Sequence, residues 1–416
     1  MKVEQLVTHA QDVTPGYFLS SGCSNSFKKF RLLTRKSGHS YVCFSHSARI
    51  CLTNNIFTLR EHHANQTPRS PANACKKFML KVHVSSATFD TQATKLMDVI
   101  AHLNDLELTT DPVEADVILM PDDDSRLIAE SPVFKSHKAK CIAISDGDTL
   151  SYYLPSLYAS NHRFPLSRGR ALTAGPYGSL VDVPSGARNT WISPLKDSQV
   201  EKRHLYSFMG GSTSMLRKRL FRKFKSLDIP DALVQCTDHY KHWVGDLSER
   251  KSAQQKRYIE TMMASKFVLC PRGASASSIR MFEAMELGCA PVVLADRWIP
   301  VDGVDWSFCI FVKEAQLHQI DAIVRSHQAE WVARGKAARR IFDEHFSLET
   351  FGNTLKRQLT CLVSQRNDKR EHLIRTFYPI YRGAAELKSD LRLGARNTVL
   401  AGFRMLGVKF PYDLNR

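Results

Sequence analysis

The chain has 416 residues, of which 43% are hydrophobic and 24% are charged, and its formal net charge is +17. These proportions are typical of globular proteins and exclude a fibrous or wholly disordered chain, while the length suits two domains with room for a third. No window approaches the ~18 uninterrupted apolar residues of a membrane helix, and the N-terminus lacks the apolar block of a secretion signal. We therefore expect a soluble, cytoplasmic protein.

The positive charge is concentrated at the two ends of the chain. Residues 1–76 carry 10 basic and 3 acidic side chains, and residues 356–416 carry 13 basic and 5 acidic ones, which leaves 35 basic and 33 acidic side chains in between. A neutral body argues against a nucleic-acid partner, which needs a broad basic surface. The basic ends fit either appendages that contact an anionic surface or solvated tails without a partner.

The ten cysteines are scattered, and none forms a CxxC pair. Several lie in apolar runs, which is typical of buried thiols in a reducing compartment. The nearest approach to metal-ligand spacing is the cluster of Cys236, His239 and His242. Because a second ligand pair is missing, we favour a chance cluster over a zinc site.

Residues 1–76 show no clear pattern and predict a poorly structured, basic N-terminal extension. Strong patterns begin with a strand at 78–84 and an amphipathic helix, followed by buried strands at 117–120 and 141–144. Strands and helices with short loops predict an α/β domain with a largely parallel sheet. Its final part, residues 151–200, is rich in proline and glycine and is predicted to form connecting loops.

A second α/β unit begins with a strand at 205–209, the pair Gly210-Gly211 and a basic helix from Thr213 to Phe224. Its most informative part follows later in the chain. A buried strand at Phe267–Leu269 leads into a loop of small residues and a helix that Ser277 and Ser278 can cap. A glycine then ends this helix, and another strand follows.

The start of this later helix is suited to a phosphate group. Unpaired N–H groups and the helix dipole favour an anion there, and Arg272 and Arg280 flank it with two guanidinium groups. Glu283, one turn into the helix, could accept hydrogen bonds from ribose hydroxyls. Such a site would hold a nucleoside diphosphate without a metal. The alternative is an ordinary βαβ crossover with a capped helix and solvent-facing arginines.

This stretch closely resembles the nucleotide-sugar half of the exostosin-family glycosyltransferases. The resemblance rests on Cys270-Pro271-Arg272-Gly273, on Ser277-Ser278-Ile279-Arg280-Met281-Phe282-Glu283, on Gly288-Cys289-Ala290-Pro291-Val292 and on Asp305-Trp306. Weaker matches at residues 111–121 and 208–217 come in the family's order, so the resemblance spans residues 78–350. The sequence departs from the commoner Arg-Gly-Asp loop at Ala274.

The resemblance implies a GT-B fold, in which two Rossmann-like α/β domains face each other across a cleft. Residues 77–200 would form the acceptor domain, residues 201–350 the donor domain and residues 351–416 a basic helical tail. The implied activity is inverting transfer of a sugar from a nucleotide sugar, usually a uridine diphosphate sugar, to a growing glycan in polysaccharide biosynthesis. No metal cofactor is expected.

The resemblance also implies a set of donor-binding residues in the second domain. These are an arginine of the basic helix together with the loop and helix start of the later stretch: Arg217, Arg272, Gly273, Ser277, Ser278, Arg280 and Glu283. The three arginines would lie near the diphosphate, and the glutamate would lie at the ribose.

An inverting transfer also needs a base that takes the proton of the acceptor hydroxyl. Loops after parallel strands face the cleft in such sheets, which makes Asp146 the preferred candidate and Asp122 the second. Each could instead be a turn or helix-cap residue. The run Asp122-Asp123-Asp124 could also hold a divalent metal against a diphosphate, as in the GT-A architecture, but the donor-domain motifs favour GT-B.

The C-terminal residues 387–409 mix apolar side chains with five basic ones. A helix of this composition could lie on an anionic membrane near a lipid-linked acceptor, or it could pack back on the N-terminal domain. The predicted partners are a nucleotide sugar and a glycan or lipid-linked glycan, with a membrane surface as a further candidate. The second functional hypothesis is a noncatalytic glycan- or polyanion-binding protein on the same scaffold.

Overall fold

The structure is a computed structural model. The residues that it describes are 40–43, 49–52, 79–86, 91–121, 124–147, 150–176, 181–184, 188–227, 229–238 and 249–383. They belong to two units, residues 1–74 and residues 75–416. In the first unit, β1 (Ser40–Cys43) and β2 (Arg49–Leu52) pair in antiparallel fashion. The rest of the predicted extension 1–76 lies outside the described residues.

The second unit begins with a six-stranded parallel sheet. Its strands are β3 (Leu80–Val84), β4 (Leu106–Leu108), β5 (Val117–Met120), β6 (Cys141–Ser145), β7 (Ser156–Tyr158) and β8 (Ala171–Thr173). In space the order is β4-β3-β5-β6-β7-β8, and each neighbouring pair is parallel. The helices of this part are α1 (Thr91–His102), α2 (Ser125–Glu130), α3 (Pro132–His137) and the short α4 (Ile192–Leu195).

The predicted buried strands around residues 117–120 and 141–144 are confirmed as β5 and β6. The prediction that residues 151–200 form only connecting loops is wrong, because β7 and β8 lie there and extend the sheet. Each of these two strands has three residues. A strand of that length is too short for a hydrophobic period to reveal it.

A second sheet of five parallel strands follows in the same unit. Its strands are β9 (His204–Gly210), β10 (Ala232–Cys236), β11 (Ser265–Pro271), β12 (Ala290–Leu294) and β13 (Ile310–Phe311), in the order β10-β9-β11-β12-β13. Helices α5 (Met215–Lys225) and α8 (Ile320–Ser326) cover one face of it. Helices α6 (Glu249–Met263), α7 (Ile279–Glu286) and α9 (Trp331–His345) cover the other.

Two successive parallel α/β sheets confirm the predicted GT-B class. The sheets meet through loops at the carboxyl ends of their strands. The backbone N–H of Ile299, after β12, donates to the carbonyl of Asn161, after β7, at 3.2 Å. Similarly, the N–H of Ser277, before α7, donates to Oγ of Ser160 at 2.9 Å. The domain bounds given by the sequence stay a prediction.

The last described helices, α10 (Leu348–Ser364) and α11 (residues 368–383), return to the first sheet. Gln358 of α10 donates from Nε2 to the carbonyl of Thr173 in β8 at 2.6 Å. Gly352 allows α10 to approach the chain at Asn104, since a Cβ at this glycine would lie 1.8 Å from the Asn104 carbonyl oxygen. Within the part of the chain that the structure describes, we find no helix with the length and apolarity needed to cross a bilayer.

A buried ion pair joins α11 to the first sheet. Arg170, just before β8, donates from Nε and Nη2 to the two carboxylate oxygens of Glu371, and the Nη2–Oε2 distance is 2.7 Å. The side chains are only 3% and 2% exposed. Arg170 also donates from Nη1 to the carbonyl of Tyr152 at 3.0 Å, so much of the donor capacity of the buried guanidinium is used. Breaking one partner of such a pair leaves the other charge buried without compensation.

We expect Glu371→Leu to lower the free energy of unfolding by about 3–5 kcal/mol, because it leaves the Arg170 guanidinium buried and uncompensated. Urea unfolding followed by circular dichroism measures the change. The matched control is Glu344→Leu, which breaks an exposed pair with Arg340 and should change stability by about 0–1 kcal/mol. Equal effects of the two substitutions would contradict the structural role given to the Arg170–Glu371 pair.

Candidate functional site

Three loops meet at the carboxyl edge of the second sheet, where strands β9, β10 and β11 end. They are residues 211–214, residues 237–238 and residues 272–278. In parallel α/β sheets this edge is where ligands bind. The same edge faces the first sheet, because the Ser277–Ser160 contact crosses between them.

Side-chain hydrogen bonds hold these loops in one arrangement. Asp238, after β10, accepts from the backbone N–H and from Oγ of Ser212, both at 2.6 Å. Ser214 caps α5 by accepting from the N–H of Arg217 at 3.3 Å, and its own Oγ donates to the carbonyl of Arg272 at 3.1 Å. The loops after β9, β10 and β11 are therefore connected to one another without a ligand.

Arg217 lies at this edge, and its donors go mainly to backbone carbonyls of the loops. Its Nε and Nη2 donate to the carbonyl of Pro271 at 3.2 and 3.0 Å, and its Nη1 donates to Oγ1 of Thr213 at 3.2 Å. Gly273 lies against the same guanidinium, since a Cβ at this glycine would be 3.5 Å from Nη2. Arg217 therefore fixes the shape of the loop that contains Gly273.

Arg280, on the first turn of α7, is buried with 7% of its surface exposed. Its guanidinium lies 4.3 Å from the ring centre of Phe208 and 5.3 Å from that of Tyr258. Nη2 donates to the carbonyl of Met209, whereas the buried Nε has no hydrogen-bond partner among the described residues. A Cβ at Gly210 would lie 2.8 Å from Nη2, so a larger residue at this position would displace the buried guanidinium.

The two serines before α7, Ser277 and Ser278, differ in their hydrogen bonds. Ser278 occupies the N-cap position that the sequence predicts, yet its side chain makes no capping hydrogen bond. Its Oγ is buried and has no partner in the described part of the chain. The N–H of Ser277 is used by Ser160, and its carbonyl accepts from the N–H of Gly273 at 3.2 Å. Buried polar atoms are nearly always hydrogen-bonded, and Ser278 Oγ and Arg280 Nε are two of seven such atoms without a partner in the described part of the chain. They make the start of α7 a candidate site for a polar ligand.

Arg272 is paired with a carboxylate that the sequence analysis did not include. Its Nε and Nη2 donate to the two oxygens of Glu314 at 2.7 and 3.1 Å. The two side chains are partly exposed. At least one hydrogen bond between Arg272 and Glu314 must therefore break before these donors can contact an anionic ligand.

Glu283 is buried, and its Oε2 accepts a hydrogen bond from the Tyr258 hydroxyl at 2.6 Å. Burial and the neighbouring Glu283 carboxylate raise the pKa of Tyr258 well above its usual value, so this phenol remains a neutral donor. Glu283 also lines a cavity of about 440 Å³ between α7 and the α9–α10 corner. Because one oxygen is held by Tyr258, the other is the one available to a ligand hydroxyl.

The other charged side chains of this cavity are largely satisfied by one another. Arg188 donates to Asp182 at 3.0 Å, to Oγ of Ser193 at 2.7 Å and to Glu286. Burial raises the pKa of Glu286, although Arg188 opposes that shift. The start of α7, with two unpartnered polar atoms, is therefore the stronger candidate for a binding site.

Of the two candidate bases, Asp146 and Asp122, the structure describes only Asp146. Asp146 follows β6 and is half-buried, whereas Asp122 and Asp123 lie outside the described residues. Asp124 caps α2 by accepting from the N–H of Arg126 at 2.8 Å and also pairs with Arg382 at 3.0 Å. The hydrogen bonds from Arg126 are the main cause that lowers the pKa of Asp124 to about 2. Asp124 thus serves as a helix cap.

Metal-binding clusters can be judged only where side chains are described. There, no three His, Cys, Asp or Glu side chains lie close enough together to hold a metal ion. Of the cysteine–histidine cluster, Cys236 is exposed at the end of β10, and His239 and His242 lie outside the described ranges.

Four residues form hydrogen bonds at the site although the sequence did not predict them there: Ser160, Asp238, Tyr258 and Glu314. Each reaches the site from a separate part of the chain, between 25 and 117 residues away from its partner. No local pattern marks them. Asp238 lies between Cys236 and His239, the residues with spacing like that of metal ligands. That spacing is the one feature of the sequence that draws attention to this segment.

Comparison with known proteins finds a match that covers most residues of the site. Residues 167–327 match the sequence profile of the Exostosin GT47 domain. Exostosin-1 of Drosophila melanogaster is 33% identical over 143 residues, which are 31% of this chain and 18% of that protein. The Exostosin-1 homolog of Caenorhabditis elegans is 27% identical over 197 residues, which are 43% of this chain and 51% of that protein. The chain thus spans at most about half the length of these two relatives.

A search of solved structures finds a glycosyltransferase from Rickettsia africae with a TM-score of 0.36 and 11% identity, covering 69% of this chain and 98% of that one. At that TM-score the comparison adds nothing to the fold assignment, which rests on the two parallel sheets of this chain.

We expect Gly210→Ala to lower the free energy of unfolding by about 1–3 kcal/mol, because the added methyl group overlaps the buried Arg280 guanidinium. In an Arg280→Lys background the same glycine substitution should destabilise by about 1 kcal/mol less, which is the coupling expected of residues in contact. The control is Gly383→Ala, where nothing lies within 4 Å of the new Cβ. Additive effects of Gly210→Ala and Arg280→Lys in urea unfolding would show that the two positions are independent.

Proposed function

We propose that this chain, which carries a domain of the exostosin glycosyltransferase family, transfers a sugar from a nucleotide sugar to a glycan acceptor in polysaccharide biosynthesis. The observation that carries the proposal is the pair of buried, unpartnered polar atoms at the start of α7, Ser278 Oγ and Arg280 Nε. Both lie within the residues that match the family profile. A diphosphate oxygen at this position would accept a hydrogen bond from each of them.

The start of α7 can also stabilise the charge that develops during transfer. As the bond to the sugar breaks, negative charge accumulates on the leaving diphosphate, and fixed donors aimed at that charge lower the barrier. The positive end of the α7 dipole and the Arg280 guanidinium supply such a field. Arg217 contributes indirectly, because its hydrogen bond to the Pro271 carbonyl holds the loop of Gly273.

Glu283 is proposed to bind the ribose of the donor. Its carboxylate is fixed by the Tyr258 hydroxyl, which leaves one oxygen to accept from a sugar hydroxyl. Arg272 is proposed to reach the diphosphate after leaving Glu314. These contacts would bind the donor without a metal ion, as the resemblance also implies.

The donor is proposed to be a uridine diphosphate sugar, on the family resemblance. The relatives' names refer to different sugars, since a rice relative is named a probable glucuronosyltransferase and an Arabidopsis relative a probable beta-1,4-xylosyltransferase. We therefore propose the class of donor and not its sugar. Inversion at the anomeric carbon, with Asp146 or Asp122 as the base, is part of the proposal, and a cytoplasmic location stays a prediction.

A second candidate function is noncatalytic binding of a polyanion or acidic glycan. It is favoured by α5, which carries six basic side chains and no acidic one in the sequence MLRKRLFRKFK. Three of these basic residues, Arg219, Arg222 and Lys225, are exposed. A polyanion binder would need this surface but would not need a diphosphate site at α7.

We expect uridine diphosphate to stabilise the purified chain by roughly 2.7 kcal/mol at 100 times its dissociation constant, also in the presence of a chelator. Ser278→Ala should keep the stability of the free protein, because Oγ has no partner to lose, yet it should reduce the stabilisation by the nucleotide. Ser326→Ala, at the end of α8, is the control for loss of a serine hydroxyl away from the site, and it removes a hydrogen bond to the carbonyl of Ile323. Thermal unfolding with and without nucleotide measures both effects.

Release of uridine diphosphate from a panel of its sugar conjugates then separates the two candidate functions. Stabilisation without release, with any acceptor glycan, would favour the binding protein. Absence of stabilisation by any nucleoside diphosphate would remove the donor site, and a requirement for divalent metal would point to the aspartates at 122–124.

A further inference from the structure

Two arginines lie directly opposite each other where the two sheets meet. Arg163 comes after β7 of the first sheet, and Arg297 comes after β12 of the second. An antiparallel bridge joins His162 to Trp298, and the backbone N–H of Arg163 donates to the carbonyl of Arg297 at 2.9 Å. These two arginines are therefore the next opposite pair along the bridge. The side chains of such a pair lie on the same face, with Cβ atoms about 4.5–5.5 Å apart.

Neither arginine has a partner for its charge. Both are exposed, and neither makes an ion pair or a side-chain hydrogen bond within the part of the chain that the structure describes. The carboxylate next to Arg297 in the sequence, that of Asp296, accepts a hydrogen bond from the backbone N–H of Glu314 at 3.0 Å. Like charges directly opposite each other destabilise a strand pairing. The arrangement thus has a cost that no contact among the described residues offsets.

The charge of Arg297 also acts on neighbouring side chains. Burial is the main cause that lowers the pKa of His162, and the Arg297 guanidinium lowers it further. Burial raises the pKa of Tyr152, and the same guanidinium opposes that shift. At neutral pH the imidazole is therefore uncharged, and the phenol keeps its proton and donates to the carbonyl of His162 at 3.4 Å. Neither side chain supplies a negative charge to the arginines.

The pair lies at the edge where ligands bind in this class of fold. Strands β7 and β12 belong to two parallel sheets, and both arginines follow the carboxyl ends of their strands. Ser160, in the same loop as Arg163, accepts a hydrogen bond from the N–H of Ser277 just before α7. A ligand held between the two sheets can therefore meet one guanidinium from each of them.

We propose that Arg163 and Arg297 form a binding site for an oxyanion, a carboxylate or phosphate group, at the joint between the two sheets. Guanidinium groups present paired donors that match the oxygens of such a group, and charge-assisted hydrogen bonds are about twice as strong as neutral ones. The bound anion also offsets the repulsion between the two arginines. The proposal does not depend on the proposed function, because it requires neither a ligand at the start of α7 nor transfer of a sugar.

The experiment is a double-mutant cycle on the full-length protein. Arg163→Gln, Arg297→Gln and the double variant are unfolded thermally in sodium chloride and in sodium phosphate of equal ionic strength. In chloride we expect an unfavourable coupling between the two positions, because either substitution relieves the same repulsion. In phosphate we expect a favourable coupling, because either substitution removes the same bound anion. Phosphate at the start of α7 would affect all four proteins equally and cancels from the cycle.

The affinity for phosphate is measured separately by isothermal titration calorimetry. Each single substitution should raise the dissociation constant of this site about tenfold, which is about 1.4 kcal/mol. The matched control is Arg168→Gln, which removes an equally exposed arginine before β8 and should bind phosphate like the original protein. Arg297→Lys keeps the charge but loses the planar pair of donors, so it should keep the repulsion in chloride and bind phosphate more weakly.

Two oligosaccharides of equal length, one of uronic acids and one neutral, identify the source of the oxyanion. Binding of the acidic one alone, weakened by Arg297→Gln, would assign the site to an acidic glycan. Binding of phosphate without either oligosaccharide would assign it to free phosphate. Both results support an oxyanion site.

Two results would overturn the proposal. One is that the original protein binds neither phosphate nor the acidic oligosaccharide, or that Arg163→Gln and Arg297→Gln bind them as the original protein does. The other is a coupling close to zero in both salts, which is expected of two solvated arginines whose guanidinium groups point away from each other.

Discussion

The two sheets keep their relative position because the chain returns from the second to the first after α9. Helix α10 passes so close to Asn104 that only glycine fits at position 352, and α11 is joined to the first sheet by the buried Arg170–Glu371 pair. A buried pair of this kind adds little net stability over an apolar contact, but it tolerates no loss of a partner. It therefore determines where α11 lies more than how strongly it is bound.

At the candidate site, a buried cation is tolerated because its surroundings replace water. The Arg280 guanidinium lies near the rings of Phe208 and Tyr258, with a backbone carbonyl at Nη2 and a carboxylate one turn away at Glu283. Such cation–π contacts are stronger when they are desolvated. What remains unsatisfied is the Nε–H of Arg280 and, two residues earlier in the chain, the Ser278 hydroxyl. The site is thus preorganised for an acceptor-rich group, and little rearrangement of Arg280 is needed to bind one.

The sequence predicted the local parts of this structure and not the contacts between distant parts. The strand, loop, helix and strand around residues 265–294 follow from short-range pattern and from glycine and serine at the helix ends, and the structure confirms them. The residues that complete the site, such as Tyr258 and Asp238, are brought in by parallel pairing of strands far apart in the chain, which no local period encodes. The pairing of Arg272 with Glu314, 42 residues later, is another such long-range contact.

The hydrogen bonds between the sheet edges have a consequence for the kinetics of binding. At least four hydrogen bonds must break before the edges can separate, because Thr173 Oγ1 also donates to the carbonyl of Ile299 and the N–H of Arg163 to the carbonyl of Arg297. Each such bond contributes about 1 kcal/mol in water, so the separated form would be a minor population well below about one per cent in the free protein. A bulky ligand that enters only through the separated form has its apparent affinity reduced by that fraction, whereas a small anion that reaches α7 with the edges joined does not. Size, and not only charge, would therefore set how quickly a molecule reaches this site.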